Sequence, residues 1–240
     1  TDISEATKRQ ILQTAAEMGY ISKLQRNNTR VCIIIENMDY LTPHQFGYDI
    51  VHGFCQMAEA EGWHVDIIPM NQELQHKTPY DVFMLQEGYQ ASLVLGFSLL
   101  DPWMAEFRTT QFPTVLYDNH VKDNPRVASV GCSSEEGFEQ AIKHLVKLGH
   151  KKIGLISGPL DSYIVKARYQ AYLSGLTKYG LEINDDFVGL EYYVSEAAKR
   201  FVPRLFECGV TAFLCSHDIR AISVITECRD REIRVPYDMS

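Results

Sequence analysis

A chain of 240 residues with 45% apolar and 22% charged side chains is long enough for two compact lobes or one large α/β domain, and too apolar for wholesale disorder. Its 31 acids outnumber 23 bases, and a formal charge of −8 excludes nucleic-acid binding by the body of the chain, because phosphate contact needs a basic surface. No apolar run reaches the ~18 residues of a membrane span, so no membrane partner is expected.

The charge is uneven. Residues 1–30 hold Lys8, Arg9, Lys23, Arg26 and Arg30 against Asp2, Glu5 and Glu17, a balance of +2 that leaves −10 on the rest. A small basic head on an acidic body predicts two jobs in one chain. The head opens with a helix: Asp2 or Ser4 can cap it, Glu5 completes a capping box from Asp2, and Gly19 stops it after the apolar set Ile11, Leu12, Ala15, Ala16 and Met18. One such helix cannot bury its apolar face alone. Residues 21–30 are polar and are expected to form a linker.

From Val31 onward strands and helices alternate. Val31–Ile35 is a continuous apolar run suited to a buried parallel strand. Helix 47–61, strand Val65–Ile68, helix 79–87, strand Ala91–Leu95, helix 101–110 and strand Thr114–Tyr117 follow. A second series runs through helix 134–148, strand Ile153–Ile156, helix 163–179, a short strand near 187–193, helix 195–208, strand Ala212–Cys215 and helix 218–230. This alternation predicts an α/β fold of two doubly wound parallel-sheet lobes, residues 31–130 and 131–240, with a ligand cleft between them. Ligands in such sheets sit outside the carboxyl ends of the strands. The segments Asn37–Phe46, Gly96–Ser98, Asp118–His120, Ser157–Tyr163 and Ser216–Asp218 are therefore expected around the cleft.

Signals for chemistry are few. The chain has no G-x-G-x-x-G, no P-loop and no G-x-S-x-G, and its eight histidines show no metal-ligand spacing, so neither cofactor nor metal is expected. Six cysteines without a C-x-x-C pair, mostly among apolar or small neighbours, fit reduced thiols in the cytosol. Cys215 and His217 imitate a nucleophile and base, yet no orienting partner is evident, so no catalytic residue is assigned. Arg168 stands near the start of a helix that follows a cleft loop. Its planar fork suits adjacent hydroxyls or a carboxylate, the alternative being a surface arginine or ion pair. Asp218 follows a strand end directly and either caps the next helix or meets a ligand. Asp118 is a weaker version of the same case. Phe46, Phe97, Tyr192 and Tyr193 can stack on a flat ligand face or pack in a core.

Several segments resemble the lactose/galactose-repressor (LacI/GalR) family of transcription regulators. Ser4–Gly19 is similar to the third helix of that family's DNA-binding headpiece. His144-Leu145-Val146-Lys147-Leu148-Gly149-His150-Lys151-Lys152-Ile153 resembles its HL…GHxxI segment. Arg168-Tyr169-Gln170-Ala171-Tyr172 resembles its R-x-x-G-[FY], with Ala171 replacing glycine. Asp218 with Ala221 resembles its [ND]-x-x-A, and Val235-Pro236-Tyr237-Asp238 its VPxD turn. The resemblance implies a cytoplasmic, homodimeric regulator, a repressor whose periplasmic-binding-protein-like core closes on a small effector, usually a sugar, and so changes operator affinity. It maps effector contacts to Phe46, Asp118, Arg168, Asp218 and Tyr192 or Tyr193, with Tyr193 preferred; Phe97 joins these ligand-binding candidates from the residue reading alone.

The departures carry expectations too. Residues 1–20 read as a remnant of the headpiece; its recognition helices would precede Thr1, so operator DNA is expected to be read through a headpiece absent from this chain. The hinge pattern is lost after Tyr20, Ser133 stands where the family often has aspartate, and the second lobe is expected to be incomplete after Ser240. A competing reading is an extracytoplasmic sugar-binding receptor of a transporter, which would share the core but has no use for the basic first helix. A further one is an enzyme with an unrecognised site.

Overall fold

The computed structural model describes residues 4–18 and 29–240. Asp2, Gly19 and most of the expected linker 21–30 lie outside the described residues. Helix α1 (Glu5–Glu17) is capped by Ser4, whose Oγ accepts from the Thr7 amide at 3.1 Å. The chain divides into two compact units, Thr1–Gly131 and Cys132–Ser240.

In the first unit α1 is followed by β1 (Arg30–Ile35), α2 (Phe46–Ala60), β2 (His64–Pro69), α3 (Gln72–Lys77), α4 (Tyr80–Glu87), β3 (Ala91–Leu95), α5 (Pro102–Glu106), β4 (Thr114–Tyr117) and β5 (Val127–Val130). The five strands are parallel in the order β2-β1-β3-β4-β5. Residues Val31 to Ile35 are all buried, as a strand covered on both faces requires. Cys32 and Ile34 face a cluster with Tyr80, Trp103 and Phe107, whereas Ile33 and Ile35 face Val51 of α2. Tyr80 pins this core: its hydroxyl lies 2.7 Å from both Ser92 Oγ on β3 and Thr114 Oγ1 on β4, with its ring edge-on to Trp103 and Phe107.

Three features differ from the sequence expectation. Helix α3 is short and polar, and is started by Asn71, whose side chain accepts from the Leu74 amide. Strand β5 carries no apolar run because it is an edge strand that is mostly exposed. The helix expected over 101–110 ends at Glu106; beyond it, Arg108 and Thr109 bond three residues back, the tighter turn of a closing helix.

The second unit comprises α6 (Ser134–Lys147), β6 (Ile153–Ser157), α7 (Tyr163–Lys178), β7 (Val188–Leu190), α8 (Val194–Glu207), β8 (Ala212–Cys215) and α9 (Asp218–Asp230). Its strands are parallel in the order β7-β6-β8. Central β6 is buried throughout, with Ile153 and Leu155 packed on Ile142, Tyr172 and Leu176, and Ile156 packed in a cluster with Phe201, Val202 and Val224. Ser240 bonds alongside β8, donating to the Thr211 carbonyl at 3.0 Å and accepting from the Phe213 amide at 2.7 Å.

Replacing Tyr80 by Phe removes the hydroxyl that ties α4 to β3 and β4. The expected loss is about 1–3 kcal/mol with an unchanged denaturant slope. Tryptophan fluorescence reads it cleanly, because Trp63 and Trp103 both belong to the first unit.

Candidate functional site

In a doubly wound sheet the crevice for a ligand opens where the strand order reverses, at the carboxyl ends of the strands. In the first unit that point lies between β1 and β3. The two strand ends meet so closely there that a Cβ on Gly96, whose φ is +75°, would sit 1.7 Å from the Glu36 carbonyl oxygen. Phe46 opens α2 with its ring 67% exposed and 6.2 Å from that of Tyr117, the last residue of β4. Asp118 follows, half-buried with φ 51°, its amide donating to the Val130 carbonyl at 2.8 Å. Gly131 leaves room for its carboxylate: a Cβ there would approach Asp118 Oδ1 to 2.4 Å. Tyr117 thus holds Phe46 and Asp118 in one neighbourhood. Phe97 stands apart from them, buried in the core with its ring near Trp103 and Phe107.

The same end of the first sheet carries a buried acid. Glu36 follows β1 and accepts from Gln75 Nε2 at 2.5 Å, while Gln75 Oε1 accepts from the Trp103 amide. Burial, reinforced by the charge of Asp101 and opposed by the Gln75 bond, pushes the Glu36 carboxyl up to about 7.

In the second unit the strand order reverses at β6, so the crevice lies between the ends of β6 and β8. Ser157 ends β6 and Ser216 follows β8; both are buried. Arg168, in the second turn of α7, donates from Nη1 to the Ser216 carbonyl at 2.7 Å. His217 caps α9, its ring Nδ1 accepting from the Arg220 amide at 3.3 Å. Burial and the positive charges of Arg220 and Arg168, against the opposing Asp218, hold its imidazole below the usual range. Asp218 is the exposed first residue of α9. Tyr193 stands exposed at the start of α8, edge-on to Tyr192 with ring centroids 5.2 Å apart. Arg168 is thus bonded to the main chain two residues before Asp218. The Cys215–His217 pair is not poised for nucleophilic chemistry: burial pushes the thiol up to about 12, and the imidazole nitrogen is engaged in the helix cap.

Sequence reasoning missed Arg220. It is 3% exposed and donates from Nη2 to the Tyr192 carbonyl at 3.5 Å, a long contact. The Nε and Nη1 atoms of this guanidinium, with the hydroxyls of Ser157 and Ser216, are buried without a hydrogen-bond partner among the described residues. The available signal was spacing: Arg220, Val224 and Cys228 form the buried stripe of α9 at intervals of four.

Known proteins similar to this chain match it along nearly its whole length. Residues 142–240 match the periplasmic binding protein-like domain. The chain is 25% identical over 246 residues to the HTH-type transcriptional repressor PurR of Aliivibrio salmonicida, spanning 99% of this chain and 73% of that protein. It is 25% identical over 249 residues to the HTH-type transcriptional repressor CytR of Escherichia coli, spanning 99% and 71%. The fold is similar to that of the transcriptional regulator CelR in its cellobiose complex, with a TM-score of 0.73 at 20% identity over 100% of this chain and 73% of that one. The chain is similar to repressors of the LacI/GalR type along nearly its whole length. It is the ligand-sensing core of a repressor, and the transporter-receptor reading is set aside by similarity to repressors that runs through nearly the entire chain. Among the described residues no helix is long and apolar enough to cross a membrane.

The buried acid of this core gives a pH test. Glu36 binds its proton more tightly folded, at about 7, than unfolded, at 4.5, so its contribution to stability falls as pH rises through that window and stays lost above it. Glu36→Gln is expected to leave stability at pH 4 unchanged and to add about 2–3 kcal/mol at pH 8. Urea unfolding at both values, followed by tryptophan fluorescence, measures the difference.

Proposed function

We propose that this repressor core binds a small effector, a sugar by class, at the carboxyl ends of its parallel strands, and that binding changes operator affinity through a helical headpiece. In this reading residues 31–130 and 131–240 form the lobes, and residues 1–20 belong to the headpiece. Phe46 and Tyr193 offer aromatic faces to the sugar's C–H surface, while Phe97 packs in the core with Trp103 and Phe107. Asp118, Arg168 and Asp218 address its hydroxyls. The regulator works as a cytoplasmic homodimer, takes no cofactor and performs no catalysis.

The observation that carries the reading is the placement of Arg168. Its fork donates to the Ser216 carbonyl just beyond β8, at the strand ends where parallel-sheet proteins take ligands. Charge-assisted hydrogen bonds of about 1.5–3 kcal/mol each are strong enough to orient a polyol. CelR, similar in fold, is described in complex with cellobiose, which supports a sugar as the class.

The test is a thermal unfolding scan against sugars, sugar phosphates and purines. A ligand at 100 times its dissociation constant adds about 2.7 kcal/mol, a shift of a few degrees. Arg168→Ala is expected to weaken the best ligand at least tenfold by calorimetric titration; unchanged affinity would remove Arg168 from the site.

A further inference from the structure

Arg220 occupies a position that packing alone would give to an apolar side chain. It shares the buried face of α9 with Val224 and Cys228, yet it brings a full charge to that face. A guanidinium cannot escape burial by losing its proton, because its affinity for that proton is too high. Burying a charge without a partner is among the most unfavourable arrangements in a protein interior.

The surroundings show what is lacking. Three strand exits converge on this side chain. Its Nη2 reaches the Tyr192 carbonyl beyond β7, and the same atom lies 3.8 Å from where a Cβ on Gly158, beyond β6, would stand. The Ser216 amide donates to the Ile156 carbonyl at 3.2 Å, so Ser216 lies beside Ser157 across the ends of β8 and β6. Glu191, whose charge is felt at Arg220, is engaged elsewhere: Oε1 accepts from the Tyr192 amide at 2.8 Å and Oε2 stands 3.8 Å from Arg200 Nη1. Arg168, bonded to the Ser216 carbonyl, adds a second positive charge, and the amino end of α9 adds its dipole. The cluster thus holds buried donors at the strand-order reversal: two guanidinium nitrogens and two hydroxyls with no partner among the described residues.

From this we infer that Arg220, with Ser157 and Ser216, forms an oxyanion-accepting floor of the effector site, so that the effector is an anionic sugar bearing a phosphate or a carboxylate. The inference rests on the effector-binding reading above and narrows its ligand class. An oxyanion supplies several acceptor lone pairs to a planar fork, matching the unpartnered Nε and Nη1, with hydroxyl donors beside them. A neutral hexose would leave the buried charge uncompensated. Arg168 then orients the sugar ring, and Arg220 selects its charge.

The experiment compares glucose, glucose 6-phosphate, gluconate and inorganic phosphate as probes, by calorimetric titration and thermal shift, on the wild-type chain, Arg220→Met and Arg220→Lys. Methionine keeps the unbranched bulk of the stripe and removes the charge; lysine keeps the charge and loses the fork. The expected result is that an oxyanion probe binds the wild type at least thirtyfold more tightly than glucose, that Arg220→Met abolishes this preference, and that Arg220→Lys retains part of it. The ligand-free melting temperature of Arg220→Met is expected to equal or exceed the wild type's. Glucose 6-phosphate against gluconate then separates a phosphate effector from a sugar acid. Glucose binding as tightly as its anionic counterparts, with Arg220→Met neutral, would overturn the inference and leave the sugar site standing. A lower melting temperature in Arg220→Met with oxyanion preference intact would also overturn it, making Arg220 a strut for the Tyr192 carbonyl. Binding by none of the four probes would overturn both the inference and the sugar reading.

Discussion

The arrangement of this protein follows from burying parallel strands on both faces. Once β1 and β6 are covered by helices on each side, neither face can carry an unpaired polar group, and side-chain chemistry is pushed to the strand ends. The connections leaving those ends must bend sharply, and they do so with Gly96 and Asp118 at positive φ and with helices that start immediately beyond. Strand β8 shows the economy of this: Cys215 is its last residue, Ser216 is buried at its tip, His217 is a helix cap and Asp218 is already helical. Core, turn, cap and helix start are compressed into four consecutive residues.

That compression explains what could be read from the sequence. Strands β1, β3, β6 and β8 announce themselves as mostly apolar runs, the buried Ser92 of β3 being paired with Tyr80, and helices α2, α6, α8 and α9 announce themselves by spacing. Strand β5 does not, because an exposed edge strand obeys no burial pattern, and α3 does not, because six polar residues hold their helix through the Asn71 cap. The motifs pointed to Arg168 and Asp218; in the structure Arg168 lies in the second turn of α7 with its fork on the Ser216 carbonyl, and Asp218 opens α9. Phe97 shows the opposite limit: an aromatic residue beside a strand end can turn into the core, and neither spacing nor motif says which way its ring goes.

Arg220 was hidden for a related reason. A pattern reader treats a charge on a helix as a mark of the solvent face, and here the charge sits inside the apolar stripe. Such violations of the binary pattern are expected at functional sites, where local stability is exchanged for chemistry.

The two units show two answers to one electrostatic problem. Each has an ionisable side chain buried at the carboxyl end of its sheet: Glu36 beyond β1, and Arg220 beside β6 and β8. The carboxyl group of Glu36 can meet burial by keeping its proton, which is why its titration moves up toward neutrality while Gln75 satisfies one oxygen. A guanidinium has no comparable neutral form within reach, so only another charge or a set of oriented acceptors can settle it. Within the second unit the protein offers one carbonyl, at 3.5 Å. A buried acid in this fold can therefore be a resting feature of the core, whereas a buried arginine in the same topological position implies a partner, and the strand-end crevice is the place from which that partner comes.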